Sequence, residues 1–300
     1  ALVGTNAFFG GFVGLPHQEY TAACIPMSHR GRYSAYSQGI GSASSVASTA
    51  AGYWILAVVI KPLAWGYLYL MAWFFCQAGY VLALLGRERP TPIENAPRPW
   101  SREMMRAAWH DKPFLKLIAV NAAFQILFWP FVNIYVANYG YKDLQMAPKL
   151  AAVLMMITNI ARILFSGPVG HLTDKLHPKR VLPYWPLAVF LSIVPVLILK
   201  NALGVYISTA IGAVYTIGSG CAFLALIYGL PKPENRSGHY TIQMITNYIS
   251  MSVGPLLIGT LCDALSFRAT FALLACASLA LCPITKYLLA DISADARDYA

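Results

Sequence analysis

The chain has 300 residues, of which 58% are hydrophobic and only 11% are charged, and its formal net charge is +10. Soluble domains carry about a quarter charged residues, so this composition excludes an ordinary soluble protein and indicates a membrane protein. The positive charge does not indicate nucleic-acid binding, because the cations stand in short segments between apolar runs, without aromatic base-stacking platforms. Six cysteines lie inside apolar runs with no CxxC pair, which argues against a disulfide framework or a metal site.

Nine apolar runs follow one another along the chain, each of about 20 residues or more, the length that crosses a hydrocarbon core of about 30 Å as a helix. They predict an all-α integral membrane protein with about nine transmembrane helices. The predicted spans lie near residues 2–25, 33–58, 62–85, 114–139, 147–170, 181–199, 203–229, 240–264 and 267–290.

The lysines and arginines are distributed unequally between the two sides of these spans. The odd-numbered gaps and the C-terminal end hold 16 of them, whereas the even-numbered gaps hold five. By the positive-inside rule, the side rich in cations is cytoplasmic. We therefore expect a multi-pass protein of the plasma (cell inner) membrane, with segment 86–113 and the C-terminus in the cytoplasm.

A weak internal repeat has an offset of 207 residues. It places Gly31 on Gly238 and Tyr33 on Tyr240, and it places spans one to three on spans seven to nine. Spans four to six have no counterpart within the sequence, which begins at Ala1 without a recognisable signal peptide. We therefore expect that three helices precede this chain and that the intact protein has two parallel halves of six helices.

The repeat divides the chain into three parts. Residues 1–85 are expected to be the remainder of an N-terminal bundle, and residues 114–300 a C-terminal six-helix bundle. The segment between them, 86–113, is rich in proline and contains the amphipathic stretch "WSREMMRAAWH" at 100–110. With tryptophan at both ends, that stretch is expected to lie at the cytoplasmic interface.

A charged motif, "GHLTDKLHPKR", follows the fifth span. It resembles the signature loop of the major facilitator superfamily, and "PMSHRGR" at 26–32 is similar to that family's loop after helix four. In this family His177 and Pro178 would usually be Gly and a cation. The resemblance implies that the chain corresponds to helices four to twelve of a two-bundle (6+6) transporter. The matching residues are Gly170, Asp174, Lys175, Lys179 and Arg180.

The resemblance implies a role for Asp174 in alternating access. A carboxylate at a helix end can accept from backbone N–H groups and pair with cations of a neighbouring helix, closing the cytoplasmic side until the halves move. Alternatively, Asp174 only caps a helix, and the neighbouring charges only set the orientation of the protein in the membrane.

Two charged residues lie inside predicted spans, where polar groups normally face the bundle interior or a cavity. Glu19, flanked by His17 and Gln18, could carry a proton or lie at the cytoplasmic interface. Arg162 could bind an anionic substrate, pair with Glu19, or extend to the cytoplasm.

Uncharged polar residues form two stripes at helical spacing. Either stripe can line a cavity or make hydrogen bonds between helices. The first surrounds an expected kink at Pro130 and consists of Asn121, Gln125, Trp129 and Asn133. The second consists of Gln243, Asn247, Ser250 and Gly254.

The small residues of "GIGSASSVASTAAG" at 39–52 are expected to allow close helix packing. Together these features predict a secondary active transporter that moves a small solute. Because the sequence has no Walker motif for ATP binding, we expect transport to be coupled to protons or another ion. The alternative is a transport-inactive or truncated relative that acts as a membrane binding partner. No enzyme motif is present, and we expect no cofactor, no metal and no nucleic-acid partner.

Overall fold

The computed structural model describes residues 17–22, 24–60, 63–84, 101–147, 150–232 and 235–290, and all regular secondary structure in these ranges is helical. A short helical segment, 17–22, precedes the first long helix, so most of predicted span 2–25 lies outside the described residues. The helices are α1 (Arg30–Val58), α2 (Leu63–Leu84), α3 (Arg102–His110), α4 (Lys112–Lys142), α5 (Leu150–Leu176), α6 (Pro178–Leu199), α7 (Ala202–Gly229), α8 (Arg236–Leu265) and α9 (Phe267–Leu288).

Within the described part of the chain, six helices are long and apolar enough to cross a membrane: α4 to α9. The part of the chain that the structure describes is therefore all-helical, and the protein is a multi-pass integral membrane protein, as its composition predicts. Two boundaries differ from the predicted spans by four residues or more. Helix α5 continues to Leu176 rather than ending near 170, and α8 begins at Arg236 rather than near 240. Hydropathy marks where an apolar run ends, whereas backbone hydrogen bonding continues through the polar residues beyond it.

Helix α4 changes its winding at Pro130. An α-helix from Lys112 ends at Pro130, a π-helical turn covers Phe131–Tyr135, and a final α-helical segment reaches Lys142. Proline has no backbone N–H to donate, so the regular α-helical hydrogen bonding is interrupted there. A π turn lets the helix continue past the interruption. A π turn therefore follows the proline at which the sequence predicts a kink.

Several pairs of helices pack against each other. Helix α1 packs on α5 and α7, α8 packs on α4, and α6 packs on both α7 and α9. Close approaches depend on glycine: a Cβ on Gly218 of α7 would enter the ring of Trp185 on α6. The resulting core is rich in aromatic side chains, with Phe128, Phe131 and Phe271 fully buried.

The amphipathic stretch forms α3 and lies against the start of α8. Ser101 begins α3 by accepting a hydrogen bond from the Met104 backbone N–H at 3.2 Å, and Met104 and Ala108 are buried beneath the helix. A Cβ on Gly238 would lie 2.6 Å from the Met104 carbonyl oxygen, so glycine permits this approach. The outer face of α3 carries Trp109, which is 59% exposed.

Candidate transport site

Asp174 joins the end of α5 to the start of α1. Its Oδ1 accepts from the Gly31 backbone N–H at 2.9 Å, and its Oδ2 accepts from the Arg32 backbone N–H at 3.1 Å and from Arg32 Nε at 2.9 Å. The Asp174 side chain is only 7% exposed. A carboxylate at the first turn of a helix satisfies unpaired N–H groups and lies at the positive end of the helix dipole. We call these hydrogen bonds the Asp174 contact.

Small residues let α1 and α5 approach closely beside this contact. A Cβ on Gly170 would lie 2.6 Å from the Ala35 Cβ and 3.0 Å from the Arg32 Cα. One turn further along, a Cβ on Gly39 would meet the Ser166 hydroxyl. By contrast, a Cβ on Gly41 would meet nothing within 4 Å, so only part of the 39–52 stretch serves this packing.

The signature residues do not all lie in a loop, which corrects the sequence interpretation. Gly170, Asp174 and Lys175 belong to α5, and the chain turns only at His177, which has a φ of 70°. Such a φ favours glycine, the residue that is usual here in the family that this motif resembles. Lys179 follows the turn and donates to the Ala290 carbonyl oxygen at 3.0 Å. Arg180 lies in the first turn of α6.

The two polar stripes meet where α4 faces α8. Asn121 Nδ2 donates to Asn247 Oδ1 at 3.3 Å, and both residues line a cavity of about 220 Å³ together with Gln125, Trp129 and Gln243. Aromatic rings of α4 and α7 complete its wall, and no described acidic residue lines it. We call this space the amide cavity.

The remaining members of the stripes lie elsewhere. Asn133 is outside the amide cavity, and its Nδ2 donates to the Trp129 carbonyl oxygen at 2.9 Å. Gly254 lies against α4, where a Cβ would be 2.8 Å from the Ile126 carbonyl oxygen and 2.9 Å from Pro130 Cγ. Thus Gly254 serves close packing of α8 on the irregular part of α4.

A second cavity of about 360 Å³ lies between α1, α4, α5 and α7. Its polar lining includes Arg162, Asn133 and Asn159, and Asn159 Nδ2 donates to Ser45 Oγ of α1 at 3.3 Å. Thr216 lines both cavities, so the two spaces adjoin at one residue of α7. We call this second space the arginine cavity.

Arg162 has one described hydrogen-bond partner: Nη2 donates to Thr216 Oγ1 at 3.4 Å. The Thr216 hydroxyl in turn donates to the Ala213 carbonyl oxygen at 2.8 Å, which leaves its lone pairs to face the guanidinium. The Nε of Arg162 is buried and has no partner among the described residues.

The polar residues before α1 lie against α8. Gln18 Nε2 donates to Gln243 Oε1 at 3.2 Å, which connects segment 17–22 to the wall of the amide cavity. Glu19 is half-buried and lies within electrostatic range of Tyr240. Among the described residues, no ion pair joins Glu19 to Arg162. His17 is exposed.

Two polar contacts were not predicted from the sequence. Arg30 is 5% exposed and donates from Nη2 to the Ala22 carbonyl oxygen at 2.9 Å and from Nε to that of Ile25 at 3.0 Å. It therefore fastens the preceding helical segment to the start of α1. The signal available was the cation immediately before Gly31 in "PMSHRGR".

The second contact joins the connection between α3 and α4 to α8. Asp111 Oδ1 accepts from the Phe114 backbone N–H at 3.1 Å, and Oδ2 accepts from His239 Nε2 at 3.1 Å. The other ring nitrogen of His239 lies 2.8 Å from the Asn235 carbonyl oxygen, so both nitrogens face acceptors. Burial favours a higher pKa for Asp111, but the hydrogen bonds from His239 and Phe114 outweigh it and lower this pKa below its ordinary value.

Comparison with known proteins shows the family to which the chain belongs. The family model of the Major Facilitator Superfamily matches residues 2–232, so the chain belongs to this superfamily. Its fold is similar to the crystal structure of a bacterial homologue of the iron transporter ferroportin in an outward-facing state, with a TM-score of 0.57 and 14% identity. That match covers 89% of this chain but only 65% of the other protein. No curated protein sequence matches this chain significantly.

Proposed function

We propose that this protein is part of a secondary active transporter that moves a small solute by alternating access, coupled to a proton or ion gradient. One observation carries the proposal: two polar cavities lie between long helices, and a hydrogen-bonded carboxylate joins α1 to α5 at one end of that helix pair. Membership of a transporter superfamily supports membrane transport in general. In this proposal residues 1–85 belong to one bundle, 86–113 to a linker and 114–300 to the second six-helix bundle.

The Asp174 contact suits a closure that forms and separates. It consists of three hydrogen bonds to a single carboxylate. Hydrogen bonds to charged groups contribute only about 1.5–3 kcal/mol each, and water replaces them when the helices part. With the cation-rich side placed in the cytoplasm of a plasma membrane, this contact closes the cytoplasmic entrance.

The cavity lining argues against the cargo named for the similar structure. Iron is a cation, and a cation in the arginine cavity would meet the charge of Arg162. Within the described ranges there is also no group of three or more His, Cys, Asp or Glu side chains that could hold a metal ion. In this proposal, the charge of Arg162 disfavours a cationic solute in the arginine cavity.

An alternative is a transport-inactive relative that binds a membrane partner. This alternative keeps the fold and the helix contacts but predicts no solute flux. Transport measurements on the intact protein separate the two functions.

The test is uptake by the intact protein in proteoliposomes. The vesicles are given an inward proton gradient and a defined mixture of sugars, amino acids, benzoate and succinate, and their contents are measured by mass spectrometry after filtration. We expect at least one solute to accumulate above its level in protein-free liposomes, and to do so less when the gradient is collapsed. Equal contents in both kinds of vesicle would contradict transport of these solute classes and favour the binding-partner alternative.

A further inference from the structure

We propose that Arg162 binds the oxyanion group of a small organic anion in the arginine cavity, while the amide cavity holds the uncharged part of the same solute. This inference rests on the proposed transport function and names the class of solute for it. Arg162 lies deep in α5, its guanidinium has few described partners, and the two cavities adjoin beside it.

Arg162 lies near the middle of α5, which extends from Leu150 to Leu176. At about 1.5 Å per residue, roughly 20 Å of helix separates it from either end, which is much longer than an arginine side chain. The guanidinium therefore cannot reach water by extending along the helix surface, as an arginine near a helix end does. A cation held at this depth is costly and normally serves a polar pathway or a ligand.

The guanidinium of Arg162 has more N–H donors than described hydrogen-bond acceptors. It carries five N–H donors, and the described structure gives it a single acceptor, the Thr216 hydroxyl at 3.4 Å. Its Nε is buried without a partner, and no described carboxylate forms an ion pair with it. A carboxylate or phosphate group bound along the Nε edge would accept two parallel hydrogen bonds and neutralise the charge.

Further donors lie in the same cavity. The amide nitrogens of Asn133 and Asn159 each make one described hydrogen bond, to Trp129 and Ser45, although an amide nitrogen carries two hydrogens. The remaining hydrogens are available to an oxyanion. Among the described lining residues Arg162 alone is charged, so the charge of this cavity favours an anion.

The adjoining cavity suits the rest of such a solute. The amide cavity offers neutral amides and aromatic rings, and Thr216 borders both spaces. Their volumes, about 220 Å³ and 360 Å³, together fall in the usual range of small-molecule sites. A solute with one anionic end and a polar or aromatic body would extend past Thr216 from one space into the other.

The test is the binding of defined probes to the intact, purified protein. Its thermal unfolding midpoint in detergent is measured against increasing benzoate, succinate and phosphate, with benzamide as the neutral analogue of benzoate and chloride to equalise ionic strength. We expect at least one oxyanion to raise the midpoint with saturation, whereas benzamide and chloride do not. The response should weaken at least tenfold in Arg162→Gln and less in Arg162→Lys, which keeps the charge but loses the two-pronged geometry.

The matched control is Arg106→Gln, which removes an exposed arginine of α3 that lines neither cavity and should respond as the unmodified protein does. Should Arg162→Gln fail to fold, Arg162→Lys and Thr216→Val give the comparison. The inference is overturned if none of the three oxyanions stabilises the protein more than benzamide and chloride, or if the Arg162 variants respond like the control.

Failure of this inference is distinguishable from failure of the proposed function. Accumulation of only neutral solutes, with uptake unchanged in Arg162→Gln, would leave transport standing and overturn the anion site. Arg162-dependent oxyanion binding without accumulation of any solute would support the anion site and contradict transport.

Discussion

The Gly31 backbone N–H donates to the Asp174 carboxylate at 2.9 Å, across 143 residues of sequence. Gly31 is the second residue of α1, and a Cβ at this position would collide with the same carboxylate oxygen. The contact therefore requires both partners: an acceptor at the end of one helix and a residue without a side chain at the start of another.

Replacing Gly170 with alanine should destabilise the packing of α1 on α5. The new methyl group would lie 2.6 Å from the Ala35 Cβ, and overpacking of this kind costs about 1–3 kcal/mol. Thermal unfolding of the purified variant measures the loss. Gly41→Ala is the matched control, because its methyl group meets nothing within 4 Å and alanine favours a helix. Equal midpoints for the two variants would contradict the packing interpretation.

His177 should tolerate glycine better than alanine. Its φ of 70° lies in a region that L side chains rarely adopt, and such strain costs on the order of 1–3 kcal/mol. Both His177→Gly and His177→Ala lose the weak hydrogen bond that Nδ1 accepts from the Lys179 backbone N–H, but only the glycine variant also removes the strain. We expect the glycine variant to unfold at a higher temperature than the alanine variant. The reverse order would show that the backbone at this turn is not strained.

Acid should weaken the contact between Asp111 and His239. The pKa of Asp111 is lowered in the folded protein, because hydrogen bonds from His239 and Phe114 outweigh the effect of burial. A lowered carboxyl pKa stabilises the fold above the unfolded value of about 3.9, and this stabilisation is lost as the pH falls through the folded pKa. The difference in unfolding midpoint between the unmodified protein and Asp111→Asn should be constant near pH 5 and shrink below about pH 4.

Glu103→Gln is the control for this pH series, because Glu103 is an exposed carboxylate on α3. Its difference from the unmodified protein should stay small throughout. A difference for Asp111→Asn that persists undiminished well below pH 4 would show that the carboxylate charge does not stabilise this contact.

Much of the helical architecture was predictable, because apolar runs of membrane length determine where spanning helices form. The convergence of two polar stripes also has a sequence signal. Asn121 and Asn247 each belong to a face with helical spacing, and the structure joins them by a hydrogen bond. The division into two halves and the 207-residue repeat remain predictions, although Gly31 and Gly238 both lie in the first turns of helices and both permit a close approach.

Contacts between distant helices were less predictable. The sequence indicates which residues share a helix face, but it does not indicate which faces meet. The hydrogen bond between His239 and Asp111 depends on the docking of α3 against α8, for which neither residue carries a local pattern. Similarly, hydropathy could not show that Asp174 is still helical, because α5 continues past its apolar run.

The proposed transport cycle depends most on closure of one end of the pathway by the Asp174 contact. Cys221 provides a native reporter, because it is fully buried in α7 and its Sγ accepts a hydrogen bond from Gln38 Nε2 of α1 at 3.7 Å. The measurement is the labelling rate of Cys221 by a membrane-impermeant maleimide, in intact protein whose other cysteines are replaced by serine.

We predict that Asp174→Asn labels several times faster than the unmodified protein, with the reagent applied on the side of residues 29–32. The hydrogen bonds from Arg32 to Asp174 Oδ2 weaken when the charge is lost, so α1 and α5 separate more often. Asp263→Asn, which alters an exposed carboxylate on α8, should label at the unmodified rate. Identical rates for Asp174→Asn and the unmodified protein would contradict a closing role for this contact.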